Sequence, residues 1–417
     1  MNAGRCPGCP PPRAGEGAAL LIVLLAMVLA LSAALMSTLA GSNLEIERQR
    51  KSFEALAQAK QALIAWSVMQ GDLWPPMEID KNGVEKPTYR RPGVLPCPDT
   101  NFFGDSNSGN ASGSCSAGGG TSIGRLPWKS LRIGEDSARD AHGEVLWYAL
   151  SDGFRGNTSL NAAAINSDSK GTLLLYAANG STLLTPPGEE LAAIIFAPGA
   201  PLPGQDRTTA LPNAAASYLE AFDGKNNASA AGPFIAGPVK DASGDRVVND
   251  LVIGISAREL IAVVEKRALK EAQNALSQFA ALPNPASPAG ANCVSPVSNI
   301  KSASLALCAS DGATCAGRLP EDRLEPYVAP WFIQNGWGRV MIYALNDGVS
   351  CTDTLKAGGK TPRYLLFAPG AARAGQRRPS SLLADYLDDP ANTDGWSGNL
   401  DFAAPEPDSN DQLRTMP

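Results

Sequence analysis

The sequence predicts an α+β protein: a long N-terminal transmembrane and stem helix, then two copies of a module that sets a helix against an antiparallel sheet. Three observations carry this. Gly17–Gly41 is an uncharged, almost wholly apolar run of about 25 residues, enough for a helix to cross a bilayer. Asn43–Gln70 contains neither Pro nor Gly and has an apolar stripe at helical spacing. The remainder of the chain matches itself over several separate motifs.

The first element is the polar stretch 1–17, which carries Arg5 and Arg13 against a single Glu16. Mixed charges, Glu45, Glu47, Arg48, Arg50 and Lys51, follow the apolar run. This bias places the N-terminus in the cytoplasm and everything after Ser42 outside, with residues 18–41 as a single span. A secretory signal peptide cut after Ala40 competes, but its apolar core is normally shorter. An ordinary uncleaved anchor also competes.

A third reading uses the boundary itself. Gly17 followed at once by Ala18-Ala19-Leu20-Leu21-Ile22-Val23 resembles the leader of type IV pilins and type II secretion pseudopilins. The resemblance implies cleavage after Gly17 by a prepilin peptidase, methylation of Ala18, and assembly with other pilin or pseudopilin subunits. Family major subunits have glutamate at the fifth mature position, where this chain has Ile22. Large K-type pseudopilins and X-type minor pilins also lack it, and the K-type stands at the filament tip. The segment from Arg91-Pro-Gly-Val-Leu-Pro-Cys97 through Gly124-Arg-Leu-Pro127 also resembles a pattern in bacterial proteins with pilin-type N-termini.

The stem is expected over residues 43–70, with Phe53, Leu56, Ala57, Leu63 and Ile64 on its buried stripe. Gly71 and Pro75-Pro76 end it. About 375 residues follow the anchor, enough for two domains, and 41 Gly with 33 Pro favour short strands and turns.

The duplication defines the two domains. Phe196-Ala-Pro-Gly199 with Gln205 and Arg207 returns as Phe367-Ala-Pro-Gly370 with Gln376 and Arg378. Upstream, Gly124-Arg-Leu-Pro127 matches Gly317-Arg-Leu-Pro320, and Gly143–Gly153 matches Gly338–Gly348. Tyr218-Leu219-Glu220 matches Tyr386-Leu387-Asp388, and Gln58–Leu63 of the stem matches Glu271–Leu276. The modules are therefore 42–255 and 256–417, pilin-like if the leader resemblance extends to them. Expected strands are Val145–Leu150, Leu173–Ala177 and Ala192–Phe196 in the first, and Val340–Leu345 and Arg363–Phe367 in the second.

Of eight cysteines, Cys6 and Cys9 lie in the leader and six in the exported part. An even number in an oxidising compartment reads as disulfides. Cys115 and Cys308 each stand nine residues before their GRLP glycine, which proposes Cys97 with Cys115 and Cys293 with Cys308, leaving Cys315 for Cys351.

The chemistry-bearing residues are few. His142 is the only histidine, no G-x-S-x-G elbow occurs, and Gly358-Gly-Lys-Thr361 lacks the earlier glycine of a phosphate loop. No catalytic, cofactor-binding or metal constellation is expected, and a net charge of −6 without a basic cluster argues against nucleic acid. Asp99, Asn101, Asp105 and Asn107 partly match a calcium loop, against a plain turn as the alternative.

The expected function is thus a non-enzymatic minor pilin or pseudopilin. It would be anchored in the bacterial inner membrane with its bulk periplasmic, or at the tip of a type IV pilus or type II secretion pseudopilus. The alternative is an uncleaved, membrane-anchored periplasmic binding or adhesion protein.

Overall fold

The computed structural model describes residues 43–71, 77–79, 85–87, 91–112, 115, 122–155, 164–208, 214–230, 232–280, 306–308, 315–319, 321–345, 354–373, 375–380, 382–394, 401–404 and 409–416. The chain divides into two units, Met1–Lys51 and Ser52–Pro417. Only residues 43–51 of the first are described, a helical stretch with a Glu47–Arg50 ion pair. The second unit contains both copies of the repeat.

Each copy is a helix followed by an antiparallel meander in chain order. In the first, helix α1 (residues 43–68) precedes strands β1 (Ser122–Arg125), β2 (Trp147–Leu150), β3 (Leu191–Ala197) and β4 (Leu251–Ser256). In the second, α2 (Ala257–Ala280) precedes β5 (Ala306–Cys308), β6 (Cys315–Arg318), β7 (Ile342–Leu345), β8 (Tyr364–Ala368) and β9 (Gln412–Met416).

The registers correspond residue for residue. Arg125 pairs with Trp147, Trp147 with Phe196, and Ala197 with Leu251. At the aligned positions Arg318 pairs with Ile342, Ile342 with Phe367, and Ala368 with Gln412. A one-residue slip would send every side chain to the wrong face, so the shared register shows that the two sheets are one design used twice.

The first sheet is buried on both faces. Tyr148, Leu150, Ala193 and Ile195 point into a core shared with Leu56, Ala59 and Leu63 of α1. Their neighbours Trp147, Ala149, Ile194 and Phe196 face Leu173, Leu175, Leu219 and Phe234 on the other side. Period-two alternation with both faces covered explains why these strands are continuous apolar runs rather than alternating ones. Leu260, Ile261, Val264, Ala268 and Leu269 of α2, with Leu365 and Phe367, join the same core as α1, so the two copies are packed together. Each fully buried Leu or Phe contributes about 1.5–3 kcal/mol.

The expected fold class needs one correction. The protein is mixed α+β, but no helix among the described residues is long and apolar enough to cross a membrane. The long transmembrane and stem helix is therefore not part of this fold as described. Helix 43–68 carries Glu45, Glu47, Arg48, Arg50, Lys51, Glu54 and Lys60, so it suits a protein surface and not lipid. The segment 18–41 lies outside the described residues. The buried stripe also differs from expectation: Phe53 and Ala57 are exposed, while Ser52, Ala55, Ala59 and Ser67 are buried with Leu56, Leu63 and Ile64.

The expected strands are present in trimmed or shifted form. The sequence reading missed β1 and β6, which carry the Gly-Arg motifs, and β4, β5 and β9. Gly124 sits in β1 because a Cβ there would lie 2.8 Å from the Asp99 carbonyl oxygen, a contact that only glycine avoids.

Candidate functional site

Two features concentrate polar chemistry: a polar corner built once in each module, and a cleft beside the disulfide loop of the first.

The corner starts at the Pro-Gly turn after β3 and after β8. Gly199 and Gly370 have φ of +69° and +64°, the left-handed region that favours glycine. Arg207 Nη1 donates to the Gly199 carbonyl at 2.7 Å, Nη2 to Gln205 Oε1 at 2.8 Å and Nε to the Ser217 carbonyl at 3.0 Å. Arg378 repeats this set with Gly370 (2.6 Å), Gln376 (2.9 Å) and Asp385 (2.5 Å). Each guanidinium lies over the aligned tyrosine, Arg207 at 5.0 Å from Tyr218 and Arg378 at 4.8 Å from Tyr386. Asn249 and Asn410 donate to the carbonyls of Ala200 and Ala371 at 2.5 and 2.6 Å.

Behind each corner lie two carboxyl groups. Glu220 Oε1 accepts from Gln205 at 2.6 Å and Oε2 from the Asn249 backbone at 2.9 Å. Asp250 Oδ2 accepts from the Glu220 backbone at 3.0 Å and from Asn227 at 2.9 Å. In the second module Asp388 accepts from Gln376 at 3.1 Å and the Asn410 backbone at 3.0 Å, and Asp411 Oδ2 accepts from the Asp388 backbone at 2.7 Å. Burial pushes the Glu220 carboxyl up; burial and the nearby Glu220 push Asp250 well above the usual carboxylate range. Burial, with Asp388 beside it, raises Asp411 to about 7.

The cleft has a volume of about 270 Å³ and is lined by Phe103, Arg125, Trp128, Lys129, Glu135 and Arg139 among others. Cys97 is bonded to Cys115, with Cα atoms 5.4 Å apart, which closes the loop carrying Phe102 and Phe103. Both phenylalanines are exposed. Arg125 and Arg139 lie 5.4 and 5.9 Å from the Phe103 ring centre, and Lys129 lies 5.1 Å from that of Trp128. Arg125 is buried, its Nε without a partner among the described residues.

Asp99, the first of the candidate calcium ligands, has donors on both of its oxygens. Its Oδ1 accepts from the Asn101 backbone and side chain at 2.9 and 2.8 Å, and its Oδ2 from the Gly109 backbone at 2.8 Å, with Arg125 3.5 Å away. A carboxylate surrounded by N–H donors and a cation is the reverse of a calcium cage. No group of three His, Cys, Asp or Glu that could hold a metal occurs among the described residues. His142 sits exposed in a turn, its backbone N–H donating to Asp140.

Gly17 and Ala18 lie outside the described residues, as do Cys293 and Cys351. Cys308 and Cys315 are opposite each other in the β5–β6 ladder. The repetition exposes the Gln and Arg of the corners and one acid of each pair, Glu220 and Asp388, but not the second, because Asn249-Asp250 and Asn410-Asp411 are dipeptides too short to stand out in a self-comparison. Comparison with known proteins finds no family, no curated protein and no solved structure that matches this chain.

Proposed function

We propose that this chain is a non-enzymatic minor subunit of the pilin or pseudopilin type. Its leader and apolar run deliver it to the bacterial inner membrane, and it presents its duplicated modules from the tip of a type IV pilus or type II secretion pseudopilus. The observation that carries this reading is the Gly17-Ala18 junction at the head of the apolar run. The tandem modules support it, since their shared motifs serve turns and buried hydrogen bonds and a bulky pair of modules suits a terminal position better than a repeating one. Co-expression with a prepilin peptidase is expected to shorten the chain by 17 residues and leave Ala18 N-terminal and methylated, and Gly17 substitutions to block the cut. A mature chain beginning at Met1 or Gly41 would overturn the reading.

One observation favours the second reading, an anchored binding or adhesion protein. The cleft under Phe103 gathers Arg125, Lys129 and Arg139 at a stapled loop with two exposed phenylalanines. Retention of Met1, together with saturable ligand binding that Arg139→Gln and Phe103→Ser abolish, would decide for it.

A further inference from the structure

Equivalent buried oxygens lack a hydrogen-bond donor in both modules. Asp250 is fully buried and Asp411 is 6% exposed, yet Oδ1 of each receives no hydrogen bond from any described residue. Oδ2 of each is satisfied by the backbone N–H of the partner acid, Glu220 or Asp388. The partner acid is itself supplied with donors: Gln205 and two backbone N–H groups for Glu220, and Gln376, Ser409 and the Asn410 backbone for Asp388, which also pairs with Arg373 at 3.2 Å. One carboxyl of each pair therefore has donors at both of its oxygens. The other has one oxygen supplied and one left over.

An uncompensated buried carboxylate oxygen costs several kcal/mol, whereas a protonated carboxyl is a neutral group with a donor of its own. The repeat makes the point twice, in sequences that differ at the anionic position, Glu220 in one and Asp388 in the other. A cation would need several free oxygens at one point, and the partner acids spend theirs on N–H groups and, for Asp388, on the Ser409 hydroxyl as well.

We propose that Asp250 and Asp411 are carboxylic acids in the folded protein, each carrying a proton on Oδ1 next to its ionised partner, so that loss of these protons loosens both modules together. On release, the O–H bond breaks, the proton passes to solvent, and a second negative charge is left on the pair. The groups facing Asp250 are Glu220 and Asn227; those facing Asp411 are Asp388, Arg378 and Glu265. Arg378 offsets part of the charge in the second module. Arg207 holds the aligned place in the first module, but its guanidinium is spent on Gly199, Gln205 and Ser217 and is not among the charges acting on Asp250, so the first module is the more sensitive.

Both groups hold their proton above the range where the unfolded chain releases it. The stability they contribute is complete below about pH 4 and is lost as pH rises through the folded values, near 7 for Asp411. The test is denaturation of the full-length protein from pH 5 to pH 8.5, comparing wild type with Asp250→Asn, Asp411→Asn and the double variant. Asparagine keeps a donor where the acid carried its proton. The expected result is that each variant matches wild type near pH 5, exceeds it at pH 8, and shows a flatter profile, flattest in the double variant. Variants less stable than wild type at both ends, with an unchanged slope, would overturn the proposal. If the variants do not fold, infrared spectra of the wild type decide: the C=O stretch of a protonated carboxyl should persist at pH 7 and vanish by pH 9, and its absence at pH 7 refutes the assignment.

Discussion

The two modules anchor the same Pro-Gly corner with anions from different elements. In the first, the Gly199 N–H donates to Asp140, a loop residue three positions before the aligned Gly143, at 2.7 Å. In the second, the Gly370 N–H donates to Glu265, a residue of α2, at 3.0 Å. The aligned positions are exchanged: Ser52 stands on α1 where Glu265 stands on α2, and Asn335 stands in the loop where Asp140 stands. Ser52 accepts from the Ala141 backbone at 3.1 Å, beside Asp140. The released Asn335 is used between the copies, donating to the Pro92 carbonyl at 2.8 Å while its own carbonyl accepts from Asn166 at 2.8 Å. A duplicated network thus tolerates loss of a charge at one position when a neighbouring element supplies it. The second module has gained an interface residue by the exchange.

Arg378 is where breaking this comparison should have the largest effect. Its side chain is fully buried, satisfies several carbonyls and lies 4.0 Å from Asp168 of the first module. Arg378→Ala should cost about 4 kcal/mol by chemical denaturation and Arg207→Ala about 3, since removing a buried, multiply bonded cation strands its partners. Equal losses would show that the contact between copies adds nothing.

The glycines come next. A Cβ on Gly370 would lie 2.5–2.7 Å from side-chain and backbone atoms of Asn410, whereas one on Gly199 would meet the side chain of Asn249 at 3.1 Å. Gly370→Ala should therefore lose roughly 3 kcal/mol and Gly199→Ala roughly 1.5, both including the cost of positive φ. Reversal of that order in thermal melts would mean that the second corner relaxes more easily than the first.

Glu265 sharpens the difference in pH. Burial raises its carboxyl to about 7, although Ser167, the Gly370 backbone and Gln412 donate to it. A raised folded value means its contribution is complete below about pH 4.5 and falls as pH rises through 7, by at most about 3 kcal/mol. Glu265→Gln should flatten that part of the profile. A profile unaffected by Glu265→Gln would place its titration elsewhere.

The most local effect concerns the stapled loop. Replacing Cys97 and Cys115 by serine should cost about 2 kcal/mol and loosen the loop bearing Phe102 and Phe103, which limited proteolysis would detect. Unchanged cleavage would show that the Asp99 hydrogen bonds alone hold that loop.

Much of this could be read in advance because duplication exposes constraint without any relatives. Gly199, Gln205 and Arg207 are repeated in sequence because one guanidinium ties the Gly199 carbonyl to Gln205 and to the Ser217 carbonyl, and the turn needs a positive φ at Gly199. Strand β9 could not be read: Gln412-Leu-Arg-Thr-Met416 has little apolar character and becomes a strand by pairing along β8. Phe53 shows the opposite failure, a large apolar side chain at helical spacing that remains exposed while Ser52 beside it is buried, because the loop at Ala141 needs a hydroxyl there.

By itself the sequence determined the apolar run, the two-copy organisation, the turn glycines and the spacing of Cys97 and Cys115. These depend on composition and on local rules that hold wherever the segment lies. Only the tertiary structure decided which residues of the described helices are buried, that two sheets share one register, and that Asp140 and Glu265 do the same work. Those outcomes depend on which groups from distant parts of the chain are buried together, since burial sets the cost of leaving a charge or an N–H unpaired.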